Sequence, residues 1–380
     1  MPELSRSKLS EMAAQAGLRV AGVARPAPFE QEQEFIKDHI DRGHTAGMDW
    51  FTKQRAEESA APRTLHGSVR SIVSVGAPFW SGRREPPDDG ILRGRIARYA
   101  WGRDYHKTLR KRMEYLVGML SESVGRDLEA RTLSDTARSF DRAIAARSGA
   151  GWFGKNSMII VPGHGSWVML GELYLDIDLL PDVPLDRNCG RCSICIDRCP
   201  TGAIVEPYRI DAPKCISYLT IEEKGPIPRE LRPKMGNWVF GCDVCQDVCP
   251  YTGAAQILED PDFAPASIDN VFPSLELLAT MDHDRYVEVF AGTAVTRAKR
   301  RGLARNAAIA LGNSGDSRAE PILRDMLSRH DEPLARSHAA WGLGQLTGSE
   351  ARAILESRLR SDPSAEVRNE IRLTLDEVLV

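Results

Sequence analysis

All eight cysteines of this chain fall between Cys189 and Cys249, and their spacing constrains the fold more than any other feature of the 380 residues. The first run is Cys189-x2-Cys192-x2-Cys195-x3-Cys199, followed by Pro200. The second, Cys242-x2-Cys245-x3-Cys249, is followed by Pro250 and lacks a leading cysteine; Cys215, upstream of it, closes the count. In paired runs of this kind three closely spaced thiolates wrap one iron–sulfur cubane and the fourth reaches over to the other. That logic assigns Cys189, Cys192, Cys195 and Cys249 to one 4Fe-4S cluster, and Cys199, Cys215, Cys242 and Cys245 to a second. Two four-thiolate zinc sites would also use Cys-x2-Cys pairs, but they need neither the x2, x2, x3 periodicity nor the proline after each run.

A bacterial-ferredoxin-like segment accounts for only part of the chain, which is long enough for two or three domains. Residues 1–15 contain no apolar core segment and no twin-arginine pair, and no later stretch approaches a membrane span. The expectation is therefore a cytoplasmic, monomeric protein without membrane contact, in a compartment that keeps unligated thiols reduced. The formal net charge of -3 neither requires nor excludes a polyanionic partner, so charge has to be read by segment.

Four consecutive segments are expected. Residues 1–180 alternate helical and strand-like patterns: Leu9, Met12, Ala13 and Ala16 at helical spacing, then apolar runs at 18–24, 71–79, 158–161 and 167–175. Leu109, Met113, Leu116, Val117 and Leu120 mark an amphipathic helix, so this segment reads as an α/β (α+β) domain. Residues 81–94 are a Gly-, Pro- and charge-rich loop, and 179–188 a linker into the two-cluster segment, 181–260. A connecting helical segment, 261–295, precedes similar stretches starting near 305, 336 and 367, the signature of an all-α HEAT-like repeat domain over 296–380.

Residues 149–156, GAGWFGKN, match Gly-x-Gly-x-x-Gly and nearly match a P-loop. Context argues against both: a dinucleotide fingerprint follows a strand and opens a helix, whereas this one follows a helical stretch and leads into a strand. Asn156 also stands where a P-loop has Ser or Thr. Asp135, between the strand-like 128–133 and a helix, reads either as a helix N-cap or as a general acid that burial would have to bring toward neutral pKa.

The stretches ARYAWGRDYH (97–106), SDTARSFDRAIAARSGAGWFGKNSMII (134–160), GSWVMLGELYL (165–175), CISYLTIE (215–222) and GCDVCQDVCP (241–250) resemble the epoxyqueuosine reductases, as do the terminal repeats. These are cobalamin- and iron–sulfur-dependent enzymes of tRNA modification. The resemblance implies that Asp135 donates a proton during reduction of the epoxide, and that Asp135, Gly154, Ser157, Ile159, Leu170, Ser217 and Cys242 line the cobalamin. Many relatives carry an arginine where this chain has Ser59; Arg55 and Arg63 are the candidates to replace it. No Asp-x-His-x-x-Gly motif is present to supply an axial imidazole, so cobalamin is implied by the resemblance alone.

The expected activity is reduction of epoxyqueuosine to queuosine in a tRNA anticodon stem-loop, with electrons arriving from a flavodoxin- or ferredoxin-like donor. A corrinoid reductive dehalogenase is the alternative enzyme, and a ferredoxin–HEAT electron carrier the non-enzymatic one. The run from Arg297 to Arg305 holds five basic residues and no acidic one, so Arg297, Lys299, Arg300, Arg301 and Arg305, with Arg336 at the start of the next repeat, are the expected phosphate contacts.

Overall fold

Apolar runs in the first part of the chain become strands β1 (Val20–Ala24), β2 (Ser71–Pro78), β3 (Ala130–Leu133) and β4 (Val168–Leu175). They form one sheet in the order β1-β2-β4-β3. Every neighbouring pair is antiparallel, which resolves the expected mixed domain as α+β. β2 is buried at all eight positions, Ser71 and Ser74 included, as a strand covered on both faces is.

Three helices matter here: α1 (Arg6–Gln15), α2 (Tyr105–Val124) and α3 (Asp141–Arg147). Leu109, Met113, Leu116 and Leu120 form the buried stripe of α2, at the spacing read from the sequence. Met113 fills the space above Gly171, so α2 lies on one face of β4. The next residue, Glu172, points to the opposite face, where α3 packs on β2 and β4.

The structure, a computed structural model, describes residues 5–346 and 349–378, and the chain divides into two units. One comprises Met1–Gly82, Asp104–Pro213 and Val244–Ala264 and holds the sheet; the other comprises Arg83–Arg103, Lys214–Asp243 and Pro265–Val380. These units cut across the four consecutive segments expected. The physical reason lies in the second unit's core, where Ile96, Ala100, Trp101, Ile221, Val239 and Phe240 pack among the buried residues of the repeats. Burying such large apolar side chains stabilises by roughly 1.5–3 kcal/mol each.

Among the described residues the repeats comprise five helices: α4 (Lys299–Asn313), α5 (Ala319–Arg329), α6 (Pro333–Gln345), α7 (Ser349–Ser361) and α8 (Ala365–Val378). α4 is buried continuously from Gly302 to Gly312, because inserted segments cover the face that a terminal repeat would expose. Gly312 lies so close to Gly342 of α6 that neither helix could carry a larger residue at the crossing. Residues 347–348 of the expected repeat domain lie outside the described residues. Among the described residues no helix is long and apolar enough to cross a membrane.

Candidate functional site

Within the first unit, the helical turns Ile194–Asp197 and Val244–Asp247 pack on each other. Gly190, at φ +51°, turns the chain between Cys189 and Cys192, with its amide on Asn188 Oδ1 (2.7 Å) and its carbonyl on Lys155 Nζ (2.7 Å). Burial pushes the Cys195 thiol above its ordinary pKa, and the neighbouring Cys189, Cys249 and Cys192 push it further. Burial likewise raises Cys249, with Cys189 and Cys192 adding to it. These four sulfurs, the set assigned from spacing to one cluster, thus share one electrostatic neighbourhood. Mutually repelling thiolates are the donor set that a cationic iron–sulfur core neutralises, so these residues fit such a group. Cys199 accepts an N–H···S bond from Ala203 (3.3 Å).

In the second unit, the helix Ile216–Ile221 starts directly after Cys215, and the strand Trp238–Phe240 leads through Gly241 to Cys242. Gly241 N–H donates to Thr220 Oγ1 (2.8 Å), tying the two cysteine-bearing segments together. Asn306 of α4 donates from one amide group to Thr220 O (2.9 Å) and Val239 O (2.8 Å). Ser217 lies on the helix that follows Cys215.

Asp135 is neither an N-cap nor buried. Helix α3 begins six residues later, after Phe140, and 57 % of the Asp135 side chain is exposed. The residue sits in the left-handed region at φ +45°, which Asp tolerates better than most non-glycine residues. Its Oδ2 accepts from Tyr105 Oη (2.5 Å) and from His106 Nε2 (3.0 Å), and its backbone N–H donates to Asp141 Oδ2 (2.7 Å). Loss of hydration raises its pKa, but the His106 and Tyr105 hydrogen bonds outweigh that and hold the carboxyl below its usual range. The expectation of a burial-raised acid is therefore corrected, because the two donors reverse the sign. His106 moves the other way: the hydrogen bond to Asp135 raises it against the opposing effect of burial, helped by Asp104 at 2.8 Å from Nδ1.

Asp104, Tyr105 and His106 received no individual assignment from sequence. The available signal was Asp-Tyr-His at a helix start, since Asp104 caps α2 by accepting from His106 N–H. Arg55 donates to Thr136 O (3.1 Å) and Ala137 O (3.0 Å), bracing the turn just beyond Asp135, whereas Ser59 is buried.

The GAGWFGKN stretch forms a hairpin, Trp152–Phe153 against Ile159–Ile160, in keeping with the rejection of a nucleotide loop. Gly154 closes it through its amide on Met158 O (2.8 Å), and a Cβ there would collide with Asn156 Oδ1 and Ile160. Ser157, at φ +63°, leaves a buried hydroxyl without a partner among the described residues. Ile159 is buried and Leu170 packs partly buried against the same cluster. An unpartnered hydroxyl beside a glycine-tightened turn and apolar walls fits a large, flat ligand with polar edges.

The basic run separates sharply. Lys299 and Arg301 are exposed, and Arg297, also exposed, pairs with Glu222 (2.8 Å). Arg300 is half-buried and engaged with Asp331. Arg305 is completely buried, donating to the carbonyls of Leu219 (2.6 Å), Glu223 (2.8 Å) and Gly225 (2.8 Å). Arg336 is buried against Asp362 (3.0 Å). Arg305 and Arg336 are thus removed from the expected phosphate surface: their donors already satisfy buried acceptors.

Residues 188–252 match the family model of the 4Fe-4S double cluster binding domain, 60–136 that of epoxyqueuosine reductase QueG (DUF1730), and 293–376 that of HEAT repeats. An epoxyqueuosine reductase of Xanthomonas campestris pv. campestris is 36 % identical over 351 residues, covering 90 % of this chain and 97 % of the relative. The structure superimposes with TM-score 0.91 on an epoxyqueuosine reductase solved with an epoxyqueuosine-modified tyrosine tRNA stem loop, at 31 % identity over 99 % of both chains. It matches the Bacillus subtilis epoxyqueuosine reductase, solved with its catalytic aspartate loop swung out of the active site, at TM-score 0.90 and 30 % identity over 98 % of both chains. Length, fold and identity agree, and this chain belongs to the epoxyqueuosine reductase family.

Proposed function

We propose that this protein reduces epoxyqueuosine to queuosine in tRNA. The reading is carried by the exposed Asp135 carboxylate, held in a left-handed turn by His106 and Tyr105, in a chain related over its whole length to a reductase solved with the modified stem loop. Converting the epoxide to the alkene consumes two electrons and two protons and releases the oxygen as water. Cys189, Cys192, Cys195 and Cys249 would hold one 4Fe-4S cluster and Cys199, Cys215, Cys242 and Cys245 the other, and such clusters would supply electrons singly. Cobalamin, when bound, would supply a redox-active metal centre. Gly154, Ser157, Ile159 and Leu170 of the first unit are the residues proposed to hold it; Ser217 and Cys242 remain candidates from the resemblance alone.

The protein's own contribution to the chemistry is the proton. His106, raised above its ordinary value, carries a proton on Nε2 at 3.0 Å from Asp135 Oδ2. Asp135 passes that proton to the substrate oxygen, and Asp104 keeps the imidazole oriented from the Nδ1 side. Tyr105 stabilises the carboxylate between transfers. Phosphate contacts are assigned to Arg297, Lys299 and Arg301, and the electron donor to the flavodoxin or ferredoxin class. The protein acts as a monomer in the cytoplasm.

The test is incubation of the iron- and cobalamin-loaded protein with epoxyqueuosine-containing tRNA and a chemical reductant, with digestion to nucleosides and mass spectrometry. Queuosine should accumulate; loaded wild-type protein that produces none would overturn the reading. Iron and acid-labile sulfide should each approach about eight per chain. Stoichiometric zinc without sulfide would return the cysteines to the zinc alternative.

A further inference from the structure

Behind the Asp135 turn, between α3 and the sheet, lies a pair of acids to which the reaction assigns no step. Asp141 is the first residue of α3, and Glu172 lies in β4, completely buried. Asp141 Oδ1 and both oxygens of Glu172 are buried with no hydrogen-bond donor among the described residues. Ser74, paired with Glu172 across the β2–β4 ladder, leaves its hydroxyl unpartnered as well. Two adjacent carboxylates without donors cannot both remain charged in such a place, because each would be desolvated and each would repel the other. A single proton between them converts that repulsion into a hydrogen bond. Meanwhile the second oxygen of Asp141 accepts the Asp135 N–H at 2.7 Å.

We propose that Asp141 and Glu172 hold one proton between them, and that this pair is the latch that fixes the Asp135 turn. Both are positioning residues: neither meets the substrate, and each acts through the turn that carries Asp135. The proposal rests on the reading above only for its catalytic consequence; the latch itself follows from the buried oxygens and the Asp135 amide. The groups facing the pair are Asp135 and Arg142 from the α3 side and Tyr174 from β4. Arg142 is anchored on Ser157 O (2.6 Å), and Tyr174 meets Ser139 at 3.1 Å. Burial, followed by carboxylate repulsion, raises Glu172 well above its ordinary value, and burial brings Asp141 up to about 6. The raised Glu172 therefore favours keeping the shared proton at neutral pH, and rising pH works to remove it. Once it leaves, the pair repels and the turn loosens.

The experiment is hydrogen exchange by mass spectrometry on the cofactor-loaded full chain, reading residues 134–140 as protection factors corrected for intrinsic exchange. Wild-type protection should fall about tenfold between about pH 6 and about pH 9, the effect of losing one hydrogen bond to a charged group. Glu172→Gln, whose amide donates permanently to Asp141, should keep the segment protected across that range. Asp141→Asn retains an acceptor for the Asp135 amide and should also lose most of the pH dependence, whereas Asp141→Leu should leave the segment poorly protected throughout. Turnover should follow protection, with kcat falling in Asp141→Leu and KM for tRNA unchanged. An unchanged wild-type pH dependence in Glu172→Gln would overturn the shared proton. Wild-type protection in a folded Asp141→Leu would overturn the latch. Exchange reads the turn directly, so failure of the latch is distinguishable from failure of Asp135 as the proton donor.

Discussion

A carboxylate that passes protons repeatedly needs a donor behind it, and His106 stands where that donor is needed. Asp135→Asn keeps a residue tolerant of the left-handed turn but cannot carry a carboxylic proton. Turnover should drop about 10²–10⁴-fold, with cobalamin content and melting temperature close to wild type. Normal turnover in the Asn variant would remove Asp135 from the chemistry. His106 leaves a second trace. Its folded pKa is raised above 6.5, chiefly by the Asp135 hydrogen bond, so folding takes up a proton there. That contribution to stability is complete below the unfolded value and lost as pH rises through the folded one. Melting temperature followed from about pH 6 to about pH 8.5 should therefore fall less in His106→Gln than in wild type; an identical slope would place the titration elsewhere. The type and position of Asp135 were legible from its motif. Its environment was not, because Tyr105 and His106 lie some thirty residues earlier and only the fold brings them to it.

Helix α4 shows how a linear pattern can hide two different surfaces. Arg297, Lys299, Arg300, Arg301 and Arg305 form one basic run in sequence, yet Lys299 and Arg301 reach solvent while Arg305 is sealed among backbone carbonyls. The helical period alone does not tell them apart, because what buries Arg305 is the segment around residues 219–225, brought in by the fold. The repeats themselves were readable, since their periodicity is local. Replacing Lys299 and Arg301 together by Ala should reduce the slope of log affinity against log salt by about 1.5, from nearly one counterion per phosphate contact. Iron content should not change. The measurement is binding of epoxyqueuosine-containing tRNA across a salt series, and an unchanged slope would return these residues to an ordinary solvated face.

At the scale of the whole chain, the two-cluster segment was legible in the sequence and matches a double-cluster family model over 188–252, whereas the interleaving of distant segments within each compact unit was not. Sequence shows where ligands stand along the chain, whereas the support for Cys215 and Cys242 comes from a helix some sixty to ninety residues further on. Within the second unit, Asn306 holds the carbonyls of Thr220 and Val239, the first in the helix that begins after Cys215 and the second in the strand leading to Cys242. Cys215 and Cys242 are two of the four ligands assigned to the second cluster, so a helical-repeat residue that touches no sulfur should govern that cluster's assembly. Asn306→Ala leaves two buried carbonyls without donors, at a cost of about 1–3 kcal/mol each. The strain falls on the two segments that must present their thiolates in register. Iron should drop from about eight toward about four per chain, the Cys189, Cys192, Cys195 and Cys249 set retaining its cluster. Arg336→Met is the control, because it breaks the buried pair with Asp362 inside the repeats and bonds to no cysteine-bearing segment. It should lower the melting temperature while leaving iron and sulfide near wild type. Equal iron loss in both variants would mean that the repeats act only through overall stability, and full iron in a destabilised Asn306→Ala would show that the two segments hold their cysteines without it.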